Sequence, residues 1–307
     1  MSKQAQESWQ QQEEKGSPFF LKLTVWMALN LGRRITGLIL WPIAIFYFIF
    51  SPSTRRHCHL YLQRNFQRKA GSVEVLKLIY RFAVVSVDRI YFLANNTDIF
   101  SVEMSGTEIF QQLQAQNQGA ILIVSHFGSF EVMRSLAEVH QLAPIRIVLD
   151  KQQNGVFINL LSSLAPAMAS AIIDAGQSPP ALALAVKEAL DNGHYVGIMA
   201  DRCRGELGSE QSFLGANTRF PTSPWQLAHV LKAQTILCYG VFLGGVNYSL
   251  SFEPLPLSNT VKRSQRSAVI EQQLQNYVSS LENKVKQAPY NWFNFYDFWQ
   301  DDSTNDN

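Results

Sequence analysis

A histidine and a glutamate stand five residues apart in AILIVSHFGSFEVMRSL (120–136), directly after an unbroken aliphatic run. Together they are an acid–base set, an imidazole that takes a proton near neutral pH and a carboxylate able to fix its tautomer. AILIVS reads as a buried strand that carries His126 to its carboxyl end. Gly128 permits a tight turn, and Ser129 caps a helix with Glu131 in its first turn. An acidic residue in a first helical turn is also favourable for the macrodipole alone, so the pair by itself is a weak signal.

Asp201 with Arg202 stands directly after YVGIMA, another strand ending in polar residues. If the two strands share a sheet edge, this pair reaches the neighbourhood of His126 and either supports the base or binds substrate, with an ordinary loop ion pair as the alternative. Other chemistries lack their signatures. The chain has no G-x-S-x-G elbow, no G-x-G-x-x-G after a strand, no Walker lysine loop and no H-E-x-x-H helix. His57 and His59 flank Cys58 in a basic stretch without acidic or cysteine companions at ligand spacing. No metal, cofactor or nucleic-acid partner is expected. Three scattered cysteines fit no disulfide framework and point to a reducing compartment.

The elements that must position these groups alternate. After a helical pattern near 73–95 come IFSVEMSG (strand), TEIFQQLQAQNQG (helix), AILIVSH (strand), SFEVMRSLAEVHQL (helix), PIRIVLD (strand) and NGVFINLLSSLAPAM (helix). SAIIDAG (strand), SPPALALAVKEALDNG (helix) and YVGIMAD (strand) continue the series. Such alternation predicts an α/β fold with a mostly parallel central sheet flanked by helices. FLGANTRFPTS reads as a loop before a helix; TILCYGVFL and NYSLSFEPL extend the sheet as a late hairpin; a helix near 264–287 and the aromatic run PYNWFNFYDFW close the chain.

The N-terminal part differs in character. ITGLILWPIAIFYFIF (35–50) carries no charge, and as a helix it reaches about 24 Å, short of the roughly 30 Å hydrocarbon core. Pro42 is expected to kink it, and Trp41 and Tyr47 suit the headgroup level. Residues 51–90 hold eight basic residues against two acidic ones, which suits anionic lipid or an acidic protein partner. The expected organisation is a polar tail (1–18), a membrane-anchoring and basic helical region (19–95), an α/β domain (96–300) and an acidic tail (301–307). A buried helix hairpin in a large soluble core is the alternative to the anchor.

Ordered along the chain are Trp9, EEKGS (13–17), LGRR (31–34), YLQRNF (61–66), HFGSFE (126–131), Asp201-Arg202, FLG (213–215) and FPTSPWQLA (220–228). HFGSFE resembles the H-x4-D/E motif of the glycerolipid and lysophospholipid acyltransferase superfamily. Nearly the whole chain resembles its lipid A biosynthesis branch, the lauroyl and myristoyl acyltransferases, and the bacterial phosphatidylinositol mannoside acyltransferases.

The resemblance implies an acyltransferase on the inner face of the cytoplasmic membrane, with acyl carrier protein or acyl-CoA as donor and a lipid or glycolipid hydroxyl as acceptor. It implies His126 as general base with Glu131 orienting it. The tetrahedral oxyanion needs donors, for which backbone N–H groups near Gly128 or a side chain such as Arg202 are the candidates. Substrate-binding roles fall to Asp201, Arg202, Phe213, Gly215, Phe220, Pro221 and Lys151, the four loop residues 213–221 being equally explained by packing. Lys151 stands where relatives often carry an arginine, and the N-terminal pattern is similar to relatives in aryl polyene and other glycolipid pathways, so the acceptor stays open. A thioesterase or lipid hydrolase using the same histidine, or a non-catalytic lipid-binding protein, is the competing reading.

Overall fold

A computed structural model describes residues 18–133, 144–203, 208–255 and 263–299. Three helices come first: α1 (Pro18–Phe50), α2 (Pro52–Phe66) and α3 (Ser72–Leu93). Proline opens several helices of the chain at positions where its missing N–H costs nothing, at Pro52 of α2 and at Pro166, Pro179 and Pro224 further on. The apolar segment is longer than its charge-free stretch. The segment includes Arg33, whose guanidinium is neutralised by Asp88 of α3 through Nε (2.6 Å) and Nη2 (2.8 Å). The interruption falls at Gly32 (φ 78°, ψ 162°), whereas Pro42, the expected kink, lies within the helix. Lys22–Phe50 is thus long and apolar enough to cross a membrane by length and composition.

The α/β part follows in the order β1 (Ser101–Ser105), α4 (Glu108–Ala115), β2 (Ala120–Val124), β3 (Ile145–Leu149), α5 (Gly155–Leu164), α6 (Pro166–Ser170), β4 (Ile172–Asp174), α7 (Pro179–Asp191) and β5 (Tyr195–Met199). It continues with β6 (Gly208–Phe213), β7 (Ala216–Pro221), α8 (Ser223–Leu231), β8 (Thr235–Gly244), β9 (Asn247–Leu255) and α9 (Arg266–Gln287). A helix begins at Phe130 after β2, and the expected continuation to about 142 lies outside the described residues. Seven strands form one sheet in the order β1-β9-β8-β2-β5-β3-β4. β8, β2, β5, β3 and β4 run parallel, while β9 and β1 run the other way, with β8 and β9 joined as the late hairpin. The expected mostly parallel α/β sheet is therefore present. All five residues of β2 are buried, which is why an alternating pattern is absent from AILIV.

One element departs from the sequence reading. The expected loop from Phe213 onward holds strand β7, which pairs antiparallel with β6 just before it, the two joined at Leu214 (φ 52°) and Gly215 (φ 78°). Two successive left-handed residues are what a tight hairpin turn demands. Polar residues mask the strands: Gln211 and Thr218 face inward alongside Phe213 and Phe220.

Candidate functional site

Sheet register brings His126 and Asp201 together. β2 and β5 are parallel neighbours with Val124 opposite Met199, so the residues two positions beyond each strand, His126 and Asp201, emerge side by side at the carboxyl edge. Asp201 Oδ1 lies 2.8 Å from His126 Nδ1, and its Oδ2 accepts the His126 backbone N–H at 3.0 Å. Asn294 Nδ2 donates to the same Oδ2 at 3.2 Å. Arg202 closes the chain of contacts, its Nε donating to Asn294 Oδ1 at 2.8 Å and an Nη to the Phe293 carbonyl at 3.2 Å, with its guanidinium over the Tyr296 ring. Asp201 is fully buried, while the His126 side chain keeps 29% of its surface exposed.

This geometry sets the protonation states. Burial alone pushes the Asp201 carboxyl up, but the charge and hydrogen bond of His126, the Arg202 guanidinium and the His126 backbone N–H hold it at about 2. His126 is shifted below its ordinary 6.5, chiefly by burial and also by Arg202 and Arg89, with Asp201 working in the opposite sense. At neutral pH the pair is thus a neutral imidazole against a carboxylate. A carboxylate can only accept, so the imidazole proton sits on Nδ1 and Nε2 keeps a free lone pair. If His126 acts as the base, the acid limb of kcat/KM in a pH–rate profile is expected below 6.5, since the base is lost only when pH falls through its lowered pKa. A limb above that value would overturn the assignment.

Glu131, expected to orient His126, is occupied elsewhere. Its carboxylate is buried, pairs with Arg89 Nε of α3 at 2.8 Å, and accepts the Ser129 hydroxyl at 3.0 Å. The first helical turn aims it toward α3, so the carboxylate touching the imidazole is the non-local Asp201 and the local one anchors the turn. Gly128 lies beside that anchor at φ 70°, and its N–H donates to the Asn291 carbonyl at 2.7 Å while Ser129 N–H donates to Gly240 O at 2.8 Å. Those two N–H groups are therefore engaged within the protein, which removes them as oxyanion donors. A Cβ at Gly128 would overlap the Gly240 carbonyl of β8. Gly128→Ala is expected to cost about 3 kcal/mol or more, read as a fall in the denaturant midpoint, because left-handed strain adds to a backbone collision.

The other predicted residues divide. Lys151 is exposed just after β3, on the same edge but two strands from β2, with its backbone N–H on Asp174 Oδ1. Phe213 and Phe220 are wholly buried in an aromatic cluster with Trp292 and Phe298, Pro221 is buried next to them, and Gly215 forms the hairpin turn. Of the two readings given for these residues, packing is the one that the burial of Phe213, Phe220 and Pro221 supports. Three contributors went unread in the sequence. Arg89, Asn291 and Asn294 support the site, and the two asparagines sit in the C-terminal run NWFNFYDFW, where polar residues inside an aromatic stretch are the only hint that they are buried and bonded. The run pairs with the His126 turn itself, Phe293 N–H donating to the His126 carbonyl at 2.8 Å.

A histidine held by a buried carboxylate at the carboxyl edge of an α/β sheet is an arrangement able to take a proton from a hydroxyl. The model of the bacterial lipid A biosynthesis acyltransferase family matches residues 20–301, and the chain belongs to that family. No curated protein matches the chain. The apolar α1 is consistent with association with the inner membrane.

Proposed function

We propose that the protein transfers a fatty acyl chain from a thioester of acyl carrier protein or coenzyme A to a hydroxyl of a lipid A precursor or a related glycolipid, at the cytoplasmic face of the inner membrane. His126 Nε2 takes the acceptor's hydroxyl proton as the oxygen attacks the thioester carbonyl. The C–O ester bond forms, the C–S bond breaks, and the proton passes from Nε2 to the departing thiolate. Asp201 holds the Nδ1–H tautomer throughout and stabilises the transient imidazolium, a role the family resemblance had given to Glu131. Arg202 and Asn294 act on Asp201 by fixing its second oxygen. Direct transfer needs no serine or cysteine nucleophile.

The observation that carries this reading is the 2.8 Å contact between His126 Nδ1 and Asp201, which leaves Nε2 as the free base. Membership of the family favours transfer over hydrolysis, since water and an acceptor hydroxyl use the same base. The test is mass spectrometry of a bacterial lipid extract incubated with the full chain and each acyl thioester in turn. A glycolipid that gains one acyl chain is the expected product, and its mass gives acceptor and chain length together. Release of free fatty acid at the same rate with and without the extract would establish hydrolysis and overturn the proposal.

A further inference from the structure

Away from His126, a groove of about 450 Å³ runs between α1 and α3 and under the β8–β9 turn, lined among others by Trp41, Lys77, Tyr80, Arg81 and Asp88. Its charges do not cancel. Asp88 is fully buried, and its oxygens accept from Arg33 and, at 2.8 Å, from the Tyr248 hydroxyl, so it neutralises Arg33 and nothing further. Glu74, one turn before Lys77 on α3, is held by Arg68 at 2.6 Å and by the Gly71 N–H at 2.7 Å. Among the described residues no carboxylate lies within ion-pair distance of Lys77 or Arg81. Lys77 rests over the Tyr290 ring at 4.3 Å, and Arg81 donates to the Phe242 carbonyl at 3.1 Å, contacts that place both cations without neutralising them.

The groove's other wall is the apolar helix. Trp41 stacks on Tyr80 with ring centroids 4.0 Å apart, joining α1 to α3 at this point. From there the outward face of α1 continues through exposed Leu38, Ile45, Phe46 and Ile49. Two surplus cations beside a long exposed apolar face match one kind of molecule, a negatively charged headgroup carrying hydrocarbon chains. We propose that this groove binds the phosphate of an anionic membrane phospholipid, with Lys77 and Arg81 on the phosphate, Trp41 and Tyr80 at the glycerol level, and the acyl chains along α1. The site is independent of the proton transfer at His126 and seats the α/β part on an anionic membrane surface.

The full chain in detergent micelles, titrated with tail-labelled phosphatidylglycerol and phosphatidylcholine, tests this. Wild type is expected to prefer phosphatidylglycerol by about tenfold. Lys77→Gln, which alters an exposed side chain, is expected to remove part of that preference, and K77Q/R81Q all of it, with thermal unfolding and lipid-independent properties of K77Q unchanged. His126→Asn keeps the preference, which separates failure here from failure of the catalytic reading. Equal binding of the two lipids by wild type, or a preference that survives in the folded double variant, would overturn the proposal. So would displacement of the lipid by excess inorganic phosphate, which marks a free-anion site.

Discussion

His126→Asn is expected to lower acyl transfer by about a thousandfold while leaving the fold within about 1 kcal/mol of wild type. Asparagine is the informative replacement because of what Asp201 needs. That carboxylate is wholly buried and takes hydrogen bonds from the His126 ring, the His126 backbone and Asn294. Alanine would strip one donor from a buried charge, and the cost of that orphaned acceptor would be confused with the loss of the base. The side-chain amide of the substituted asparagine would reach Asp201 much as Nδ1 does, but it has nothing at the position of Nε2. Activity and stability are thereby separated. The measurement is single-turnover acyl transfer from a labelled thioester beside a denaturant titration. Transfer at the wild-type rate by a folded variant would show that His126 is structural and that another group takes the proton.

Much of this arrangement can be read from residues alone, and the rest depends on contacts between distant segments. β2 announces itself because a strand covered on both faces is apolar throughout, and α7 carries an opening proline pair that suits a helix start. Asp201 could be placed at the right edge of the sheet because it follows a strand of the same kind as His126 does. Its contact with His126 could not, since it rests on the register that sets Val124 against Met199, and register is a property of two strands and the loops that bring them together. The local candidate, Glu131, drew the orienting role for the same reason: sequence proximity is visible and the partner Arg89 on α3 is not. β6 and β7 escaped notice because half of their inward positions are polar, Gln211 and Thr218. The C-terminal aromatic run shows its burial in its composition, whereas its docking on the His126 turn shows only in space, through Phe293 and the paired Phe127 and Trp292.

The division of labour between the two carboxylates yields the second large effect. Asp201→Asn is expected to reduce kcat by about 10³- to 10⁴-fold, and Glu131→Gln by at least about tenfold less. Oδ2 of Asp201 accepts two N–H groups, from the His126 backbone and from Asn294, so an asparagine there must present its carbonyl oxygen to those donors. Its amide then faces His126 Nδ1 at the 2.8 Å position. The amide NH2 can only donate, and a ring nitrogen facing it must be the acceptor, which moves the imidazole proton to Nε2 and removes the base. The variant also loses the carboxylate that raises the His126 pKa, so whatever activity remains should have its acid limb at still lower pH than wild type. Glu131→Gln keeps the tautomer. It leaves Arg89 beside the site without its counter-charge, which loosens the turn and lowers the His126 pKa further through the same guanidinium. Arg89→Gln should therefore offset part of the Glu131→Gln defect in the double variant, a coupling that a double-mutant cycle reads directly. Should Glu131→Gln match Asp201→Asn in kcat, with Arg89→Gln giving no relief, the carboxylate at 131 would have to act on the imidazole or the substrate itself, and the assignment of the orienting role to Asp201 would fall.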